Sequence, residues 1–395
     1  MTTSRADYGL LRWLMQAIKE DPDLRLQVVA TGMHLAPEFG LTFRSIETDG
    51  FRIDRTVEML QTADGDTAVA KSVGVGLVAF SDVFEELRPD IVVLLGDRFE
   101  LLSPAVAAFV ARIPIAHIHG GETSQGAIDE GVRHAVTKLA SLHFAATETY
   151  RRRIIQMGED PDRVFAFGAP GLDALRHLTL LTRAELETHL GFSLDTPSAI
   201  VTYHPVTLEP GRAGRRIDAL LSALLGENVR AVFTKANADE EGRLINARVA
   251  AFCRLHPADY RLFDNLGQMA YLSCLRHADL MVGNSSSGLI ETPAFELPTV
   301  NIGDRQLGRI RAANVIDVGY DAADIAAGIR KALSPEWKAG LKDMVNPYAA
   351  RDDESVSARI KQQLKDAELG ETLLKQRFHD LGPQGPAESP SSETS

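Results

Sequence analysis

Apolar runs of strand length recur along this chain, each set apart from the next by a stretch with helical spacing, and the pattern is played through twice. In the first half the runs are residues 26–30, 91–95, 115–118 and 142–146, with helical spacing at 80–87 and 104–111. In the second half they are 199–202, 231–234, 260–263, 280–282 and 299–302. A helix expected over 215–225 sets Ile217, Leu220, Leu221 and Leu224 on one face. Runs without polar alternation are buried on both faces, which requires a parallel sheet covered by helices. The alternation therefore predicts an α/β fold made of two doubly wound, Rossmann-like domains. A ligand of such a pair lies in the cleft at the carboxyl ends of the strands.

Length agrees, since 395 residues exceed one ordinary core. Gly168-Ala169-Pro170-Gly171 interrupts the pattern and marks a hinge. The expected division is an N-terminal α/β domain over 1–170 and a C-terminal α/β domain over 171–345. A helical segment at 346–378, with its helix at 353–365, and a Pro-, Ser- and Glu-rich tail at 379–395 complete the chain. The tail is expected to be disordered. One feature is odd. Thr3-Ser4-Arg5-Ala6-Asp7-Tyr8 reads as a strand-to-helix turn with no strand before it, although a first strand is normally central in such a sheet. The expectation is that the first strand is missing and that the true start lies upstream of Met1.

A net charge of −12 leaves no surplus of cations to neutralise a nucleic acid or an anionic membrane, so neither is an expected partner. Cys253 and Cys274 give neither a disulfide framework nor a zinc pattern, and a reducing cytoplasm fits. No leader and no apolar run long enough to span a bilayer is apparent. Neither cofactor nor metal is expected.

The chemistry-bearing residues cluster where the runs end. Gly283-Asn284-Ser285-Ser286-Ser287-Gly288 follows a strand and precedes a helix expected from about Leu289, with Glu291 one turn in. Free N–H groups and serine hydroxyls at such a turn make an anion site, and an ordinary helix cap is the alternative. One βα unit further on, Arg305, Arg309 and Arg311 offer guanidinium forks suited to phosphate oxygens. In the first half, Asp97 and Arg98 end one run, and His117, His119 and Glu122 end the next. With Asp129 in the following loop, Asp97, His119 and Glu122 would converge on one rim and supply an acid and a base. His117 reads as a packed core imidazole. His204 ends the first strand of the second half, and Asn237 and Asp239 follow the second, where an Asx-turn and a helix cap are the plain readings.

Taken in order, these motifs resemble the hydrolysing UDP-N-acetylglucosamine 2-epimerases, of the bacterial type that makes precursors of sialic and legionaminic acids. The matching segments are residues 4–9, 31–35, 95–100, 117–122, 129–138, 204–207, 237–239, 283–291 and 301–309. The resemblance implies the GT-B arrangement of two facing domains, with the last helix crossing back to the first. It also implies a reaction in two stages: UDP is eliminated to leave a 2-acetamidoglucal, and water then adds to give the free C2-inverted sugar, such as N-acetylmannosamine. Asp97, Glu122, Asp129, His119 and His204 would form the catalytic set. Arg5, Arg98, Ser285, Ser286, Glu291, Arg305 and Arg309 would hold the UDP-sugar, with Asn237 and Asp239 nearby. Where some relatives read His-Ile-Glu-Gly-Gly-Glu this chain reads His-Ile-His-Gly-Gly-Glu, so either His119 or Glu122 takes the task of the family glutamate. Which UDP-sugar is used, UDP-N-acetylglucosamine or a 2,4-diacetamido-6-deoxy analogue, stays open. A non-hydrolysing epimerase, a GT-B glycosyltransferase and a nucleotide-sugar sensor are the rival readings, and a homo-oligomer is the default state.

Overall fold

The computed structural model describes residues 1–61, 66–125, 127–195, 197–206, 208–236, 241–351 and 354–382. Its strands are β1 (Val29–Thr31), β2 (Arg55–Val57), β3 (Val92–Leu95), β4 (Ile115–Ile118), β5 (Leu142–Ala145) and β6 (Val164–Ala166). They continue with β7 (Ser198–Thr202), β8 (Arg230–Thr234), β9 (Tyr260–Phe263), β10 (Leu280–Gly283), β11 (Thr299–Ile302) and β12 (Val315–Val318). β3, β4, β5 and β6 form one parallel sheet in that order, and β1 and β2 form a parallel pair. The second sheet runs β12-β11-β10-β7-β8-β9, again all parallel. This is the expected α/β architecture of two doubly wound units.

The slot between β1 and β3 is taken by the first residues of the chain. Thr2 makes a parallel bridge to Ala30, with Thr2 N donating to Val29 O at 3.1 Å and Thr31 N to Thr2 O at 3.0 Å. On the other side the Met1 amine donates to Val93 O at 3.2 Å. Thus the turn at Thr3 is preceded by a strand-like stub. Helix Arg5–Glu20 follows, capped at Ser4 by a hydrogen bond from Asp7 N.

In the second domain the two sides of each strand serve different layers. Val201, Phe233, Val282 and Val300 pack with Ile217, Leu220, Leu224, Ile325 and Ile329. Their neighbours Ile200, Val232 and Met281 pack with Leu186, Leu190, Leu272 and Leu275. Strand order turns around between β7 and β10, so the residues after Thr202 and Gly283 stand at a topological switch point.

Helix Val356–Asp366 returns to the N-terminal domain, burying Val356, Ile360 and Leu364 beside Leu11 and Leu14. Its first turn is fixed by Asp173, which accepts from Val356 N at 3.0 Å and Ser357 N at 2.6 Å. The helix begins three residues later than the sequence suggests, and Asp353 and residues 383–395 of the expected tail lie outside the described residues.

One expectation is corrected. By length and composition alone, helix Thr67–Leu87 is apolar enough to cross a membrane. In this fold Phe80, Val83 and Phe84 of that helix pack into the N-terminal core with Val92, Leu94, Leu101 and Ala105. Val75 and Val78 of the same helix are exposed, so packing accounts for part of its apolar character only.

Candidate active site

β3 and β4 end side by side, and the polar residues after them form the N-terminal rim. His119 follows β4 with a left-handed backbone, φ 66°, unusual for a non-glycine residue. Gly121 is also left-handed, and a Cβ there would run into the Tyr150 carbonyl. The loop therefore turns tightly and brings Glu122 back to His119, whose Nδ1 lies 2.6 Å from Glu122 Oε1. The other ring nitrogen, Nε2, is buried with no hydrogen-bond partner. His117 commits both nitrogens to the protein, at Gly96 O (2.8 Å) and Thr137 Oγ1 (3.1 Å), and burial lowers its pKa to about 3. It is a core imidazole.

Two arginines organise the carboxylates. Arg133, fully buried on helix Asp129–Leu139, binds Asp97 through Nη2. Its Nη1 binds Glu130 Oε2 at 2.7 Å and Glu122 O at 3.0 Å. Arg309 arrives from the other domain. Its Nη2 lies 3.2 Å from Glu122 Oε2 and 3.4 Å from Asp97 Oδ2, and its Nε donates to Thr123 O at 3.3 Å. Burial alone would raise the pKa of both carboxyls. For Asp97 the cations Arg133 and Arg309 outweigh burial and hold it well below the usual range. For Glu122 the charges of Arg309 and His119 outweigh burial and lower it to about 2. Both are ionised at neutral pH.

Asp129, named above for the rim, is the first residue of helix Asp129–Leu139 and is half-buried. Glu130 and Arg133, one turn apart on that helix, make the contacts to the rim described here. Arg98 turns back to Glu100, with Nη2 2.9 Å from Oε1, and also lies near His204.

Across the cleft, Gly283 with φ 142° lies against the Thr202 carbonyl, where a side chain has no room. Asn284 then staples the two strand ends: its Oδ1 accepts from His204 N at 2.7 Å and its Nδ2 donates to His204 O at 2.8 Å. Its carbonyl receives Arg305 Nη1 at 3.1 Å and Gln306 Nε2 at 2.8 Å. Burial, with Arg305 and Arg98 nearby, pushes the His204 pKa well below its ordinary value, so the ring is neutral. Ser285 Oγ accepts from Ser287 N at 3.3 Å, and Tyr271 donates to Ser287 Oγ at 2.6 Å.

The helix after this turn differs from expectation. It begins at Ser287, runs only to Ile290, and gives way to a 3-10 turn at Thr292–Phe295. Glu291 sits at the junction and not one turn into a longer helix, and burial raises its pKa. So short a helix brings little macrodipole, and what the turn could offer an anion is hydroxyls and N–H groups with arginines beside them. Arg5 leans across from the N-terminal domain to Asn265 Oδ1 at 2.6 Å, beside Tyr271. Arg309, placed with the phosphate arginines by sequence, reaches the acidic rim instead. Asn237 and Asp239 lie outside the described residues. Among the described residues no cluster of His, Cys, Asp or Glu has the form of a metal site.

Comparison with known proteins gives this geometry a family. The sequence profile described as UDP-N-acetylglucosamine 2-epimerase matches residues 16–365. The chain belongs to the UDP-N-acetylglucosamine 2-epimerase family. It is 42% identical over 382 residues to a Campylobacter jejuni GDP/UDP-N,N'-diacetylbacillosamine 2-epimerase (hydrolyzing), covering 96% of this chain and 98% of that one. A Legionella pneumophila UDP-N,N'-diacetylbacillosamine 2-epimerase (hydrolyzing) is 37% identical over 374 residues, 95% of this chain and 97% of that one. The crystal structure of a Neisseria meningitidis UDP-GlcNAc 2-epimerase bound to UDP-GlcNAc superposes with a TM-score of 0.77 at 17% identity, covering 92% and 98% of the two chains. At that identity the superposition speaks for the fold, while the family membership makes this chain an epimerase.

Proposed function

We propose that this enzyme is a hydrolysing 2-epimerase that converts a UDP-2,4-diacetamido-6-deoxy sugar of the diacetylbacillosamine type to UDP and the free C2-inverted sugar. The two relatives above carry that sugar in their names, one as GDP/UDP-linked and one as UDP-linked, at 42% and 37% identity over nearly the whole chain. UDP-N-acetylglucosamine is the alternative substrate. The observation that carries the reaction type is the pairing of ionised Asp97 with the His119–Glu122 dyad on one rim, facing a serine turn across the cleft.

In the first stage the C2–H proton is taken and the C1–O bond to UDP breaks, leaving the 2-acetamidoglucal. That proton is weakly acidic, so a positioned base and support for the leaving diphosphate are both needed. In the second stage water adds, with its hydroxyl at C1 and a proton at the opposite face of C2. We assign the two proton tasks to Asp97 and His119. Glu122 orients His119 through Nδ1, which leaves the unpartnered Nε2 as the working nitrogen. Asp129 remains a third carboxylate of the set. Ser285, Ser286, Arg305 and Arg5 are assigned to UDP, with Glu291 and the neutral imidazole of His204 at its edge.

The product decides. Incubation with each UDP-sugar in deuterated water is expected to release UDP and free sugar in equal amounts, with deuterium at C2. Retention of the UDP-sugar after inversion would reject hydrolysis, and inversion without deuterium at C2 would reject elimination and re-addition.

A further inference from the structure

The loop after β11 must bring Arg309 over the cleft to the acidic rim, and a pair of buried tyrosines holds it there. Ile310 N donates to Tyr150 Oη at 2.9 Å, and Tyr348 Oη donates to Ile310 O at 2.9 Å. The two hydroxyls are 3.0 Å apart. Since the Tyr348 hydrogen goes to Ile310 O, the Tyr150 hydrogen goes to Tyr348 Oη. The Ile310 N–H and C=O, on the two peptide groups that flank its Cα, and both phenols then form a directional circuit with each group satisfied. Both tyrosines are fully buried, in a cluster with Ile154, Ala169, Leu289 and Ile290 that draws on both domains.

Each tyrosine ties the loop to something else in the site. Tyr150 lies on helix Glu148–Gln156, whose backbone supports Gly121 and whose Arg153 donates to the Gly121 carbonyl, so the same helix braces the His119–Glu122 turn. Tyr348 lies on the segment leading to the returning helix. Its carbonyl accepts from Ala169 N at the hinge (2.9 Å), and neighbouring Asn346 donates to Ile290 O behind the serine turn (2.9 Å). Two phenylalanines would nearly fill the same volume but would leave the Ile310 N–H and C=O without these partners.

We propose that Tyr150 and Tyr348 are positioning residues that clasp the Ile310 backbone and thereby set Arg309 against Asp97 and Glu122. The inference rests on the 2-epimerase reading for its kinetic readout only. The clasp couples the returning segment to the charge pattern of the rim, although both tyrosines are fully buried.

Tyr348→Phe and Tyr150→Phe, made in the full chain, test it. Amide hydrogen exchange at residues 306–311 is expected to quicken by about tenfold or more, with the rest of the molecule unchanged. Turnover should fall by about 10- to 100-fold with KM within about twofold, because a small misplacement of the rim acts on the chemical step. In an Arg309→Met background, or Arg309→Lys if the first does not fold, adding Tyr348→Phe should lower kcat by less than about twofold more. Unchanged exchange at 306–311 overturns the clasp, as does a full multiplicative loss in the double variant. A wild-type protein that turns over no UDP-sugar rejects the 2-epimerase reading, and the exchange experiment still decides the clasp.

Discussion

The two walls of the cleft are built on opposite principles. On the N-terminal wall, carboxylates and guanidiniums are locked together before any substrate arrives: Arg133 and Arg309 both reach Asp97, and Glu122 and Arg309 are 1% and 10% exposed. On the C-terminal wall, Ser285 and Ser286 are half-exposed, and polar groups are held by a backbone staple through Asn284. Charges fixed in advance can stabilise charge that develops at a reacting centre. A wall that receives a diphosphate needs donors the ligand can reach, and charge arrives with the ligand. The contrast predicts that damage to the first wall appears in turnover and acid stability, and damage to the second in UDP affinity.

The largest effect is expected from Asp97→Asn. Loss of a proton-transfer group costs on the order of 10³-fold in kcat. Affinity for UDP, measured by calorimetry, should stay within about twofold of wild type. Near-normal turnover would remove Asp97 from the chemistry, and a large loss of UDP affinity would erase the division between the walls.

Next in size is acid stability. Glu122 has its pKa lowered to about 2 in the folded protein against an ordinary 4.5. The folded state therefore binds the Glu122 proton less readily than the unfolded chain. Its stabilisation is complete above about pH 4.5 and is lost as the pH falls towards 2, a swing of roughly 3 kcal/mol for that group. Between pH 5 and 3 the melting temperature of Glu122→Gln should fall less steeply than that of wild type. Parallel slopes would mean that the Arg309–Glu122 pair does not hold the carboxylate as described.

On the second wall, Ser286→Ala and Arg305→Ala are each expected to weaken UDP binding by about tenfold, one lost hydrogen bond to a charged group. At saturating substrate kcat should change far less than in Asp97→Asn. Unchanged affinity in both would take the serine turn out of UDP binding.

These assignments also show how far the sequence carried the structure. The polar residues that end buried runs, Asp97, His119, His204 and the serine turn, were legible because a doubly wound sheet must bring strand ends to one edge. Edge strands β2 and β12 were not, because Arg55 and Thr56 in one and Asp317 in the other break any apolar run, and β6 was missed although Val164-Phe165-Ala166 is apolar, being only three residues long. Arg133 was hidden for another reason. Its partner Asp97 lies 36 residues away, and only the fold turns that face of helix Asp129–Leu139 towards β3. Arg309 was placed with the phosphate arginines because it follows the same strand as Arg305. Its true direction depends on Gly308, left-handed at φ 88° and pressed against Thr123, which a one-dimensional reading cannot supply. The short helix at Ser287–Ile290 did have a sequence signal, since Pro293 sits where a continuing helix would tolerate it poorly.

The smallest effect sharpens the comparison by its smallness. Arg243 and Glu38 also meet across the cleft, at 3.0 Å, but their side chains are 46% and 45% exposed. Water screens such a pair, and ordering two long side chains offsets most of the attraction, so Arg243→Ala should change stability by less than about 1 kcal/mol. By contrast, removing Arg309 takes a shared cation from two buried carboxylates and leaves Asp97 with Arg133 and Glu122 with His119; a broken buried pair costs about 3–5 kcal/mol. Urea unfolding of Arg243→Ala and Arg309→Met at low and high salt measures the difference. If Arg243→Ala proved as costly as Arg309→Met, bridging the cleft would be what stabilises the molecule, and the buried charge pattern of the rim would carry no special weight.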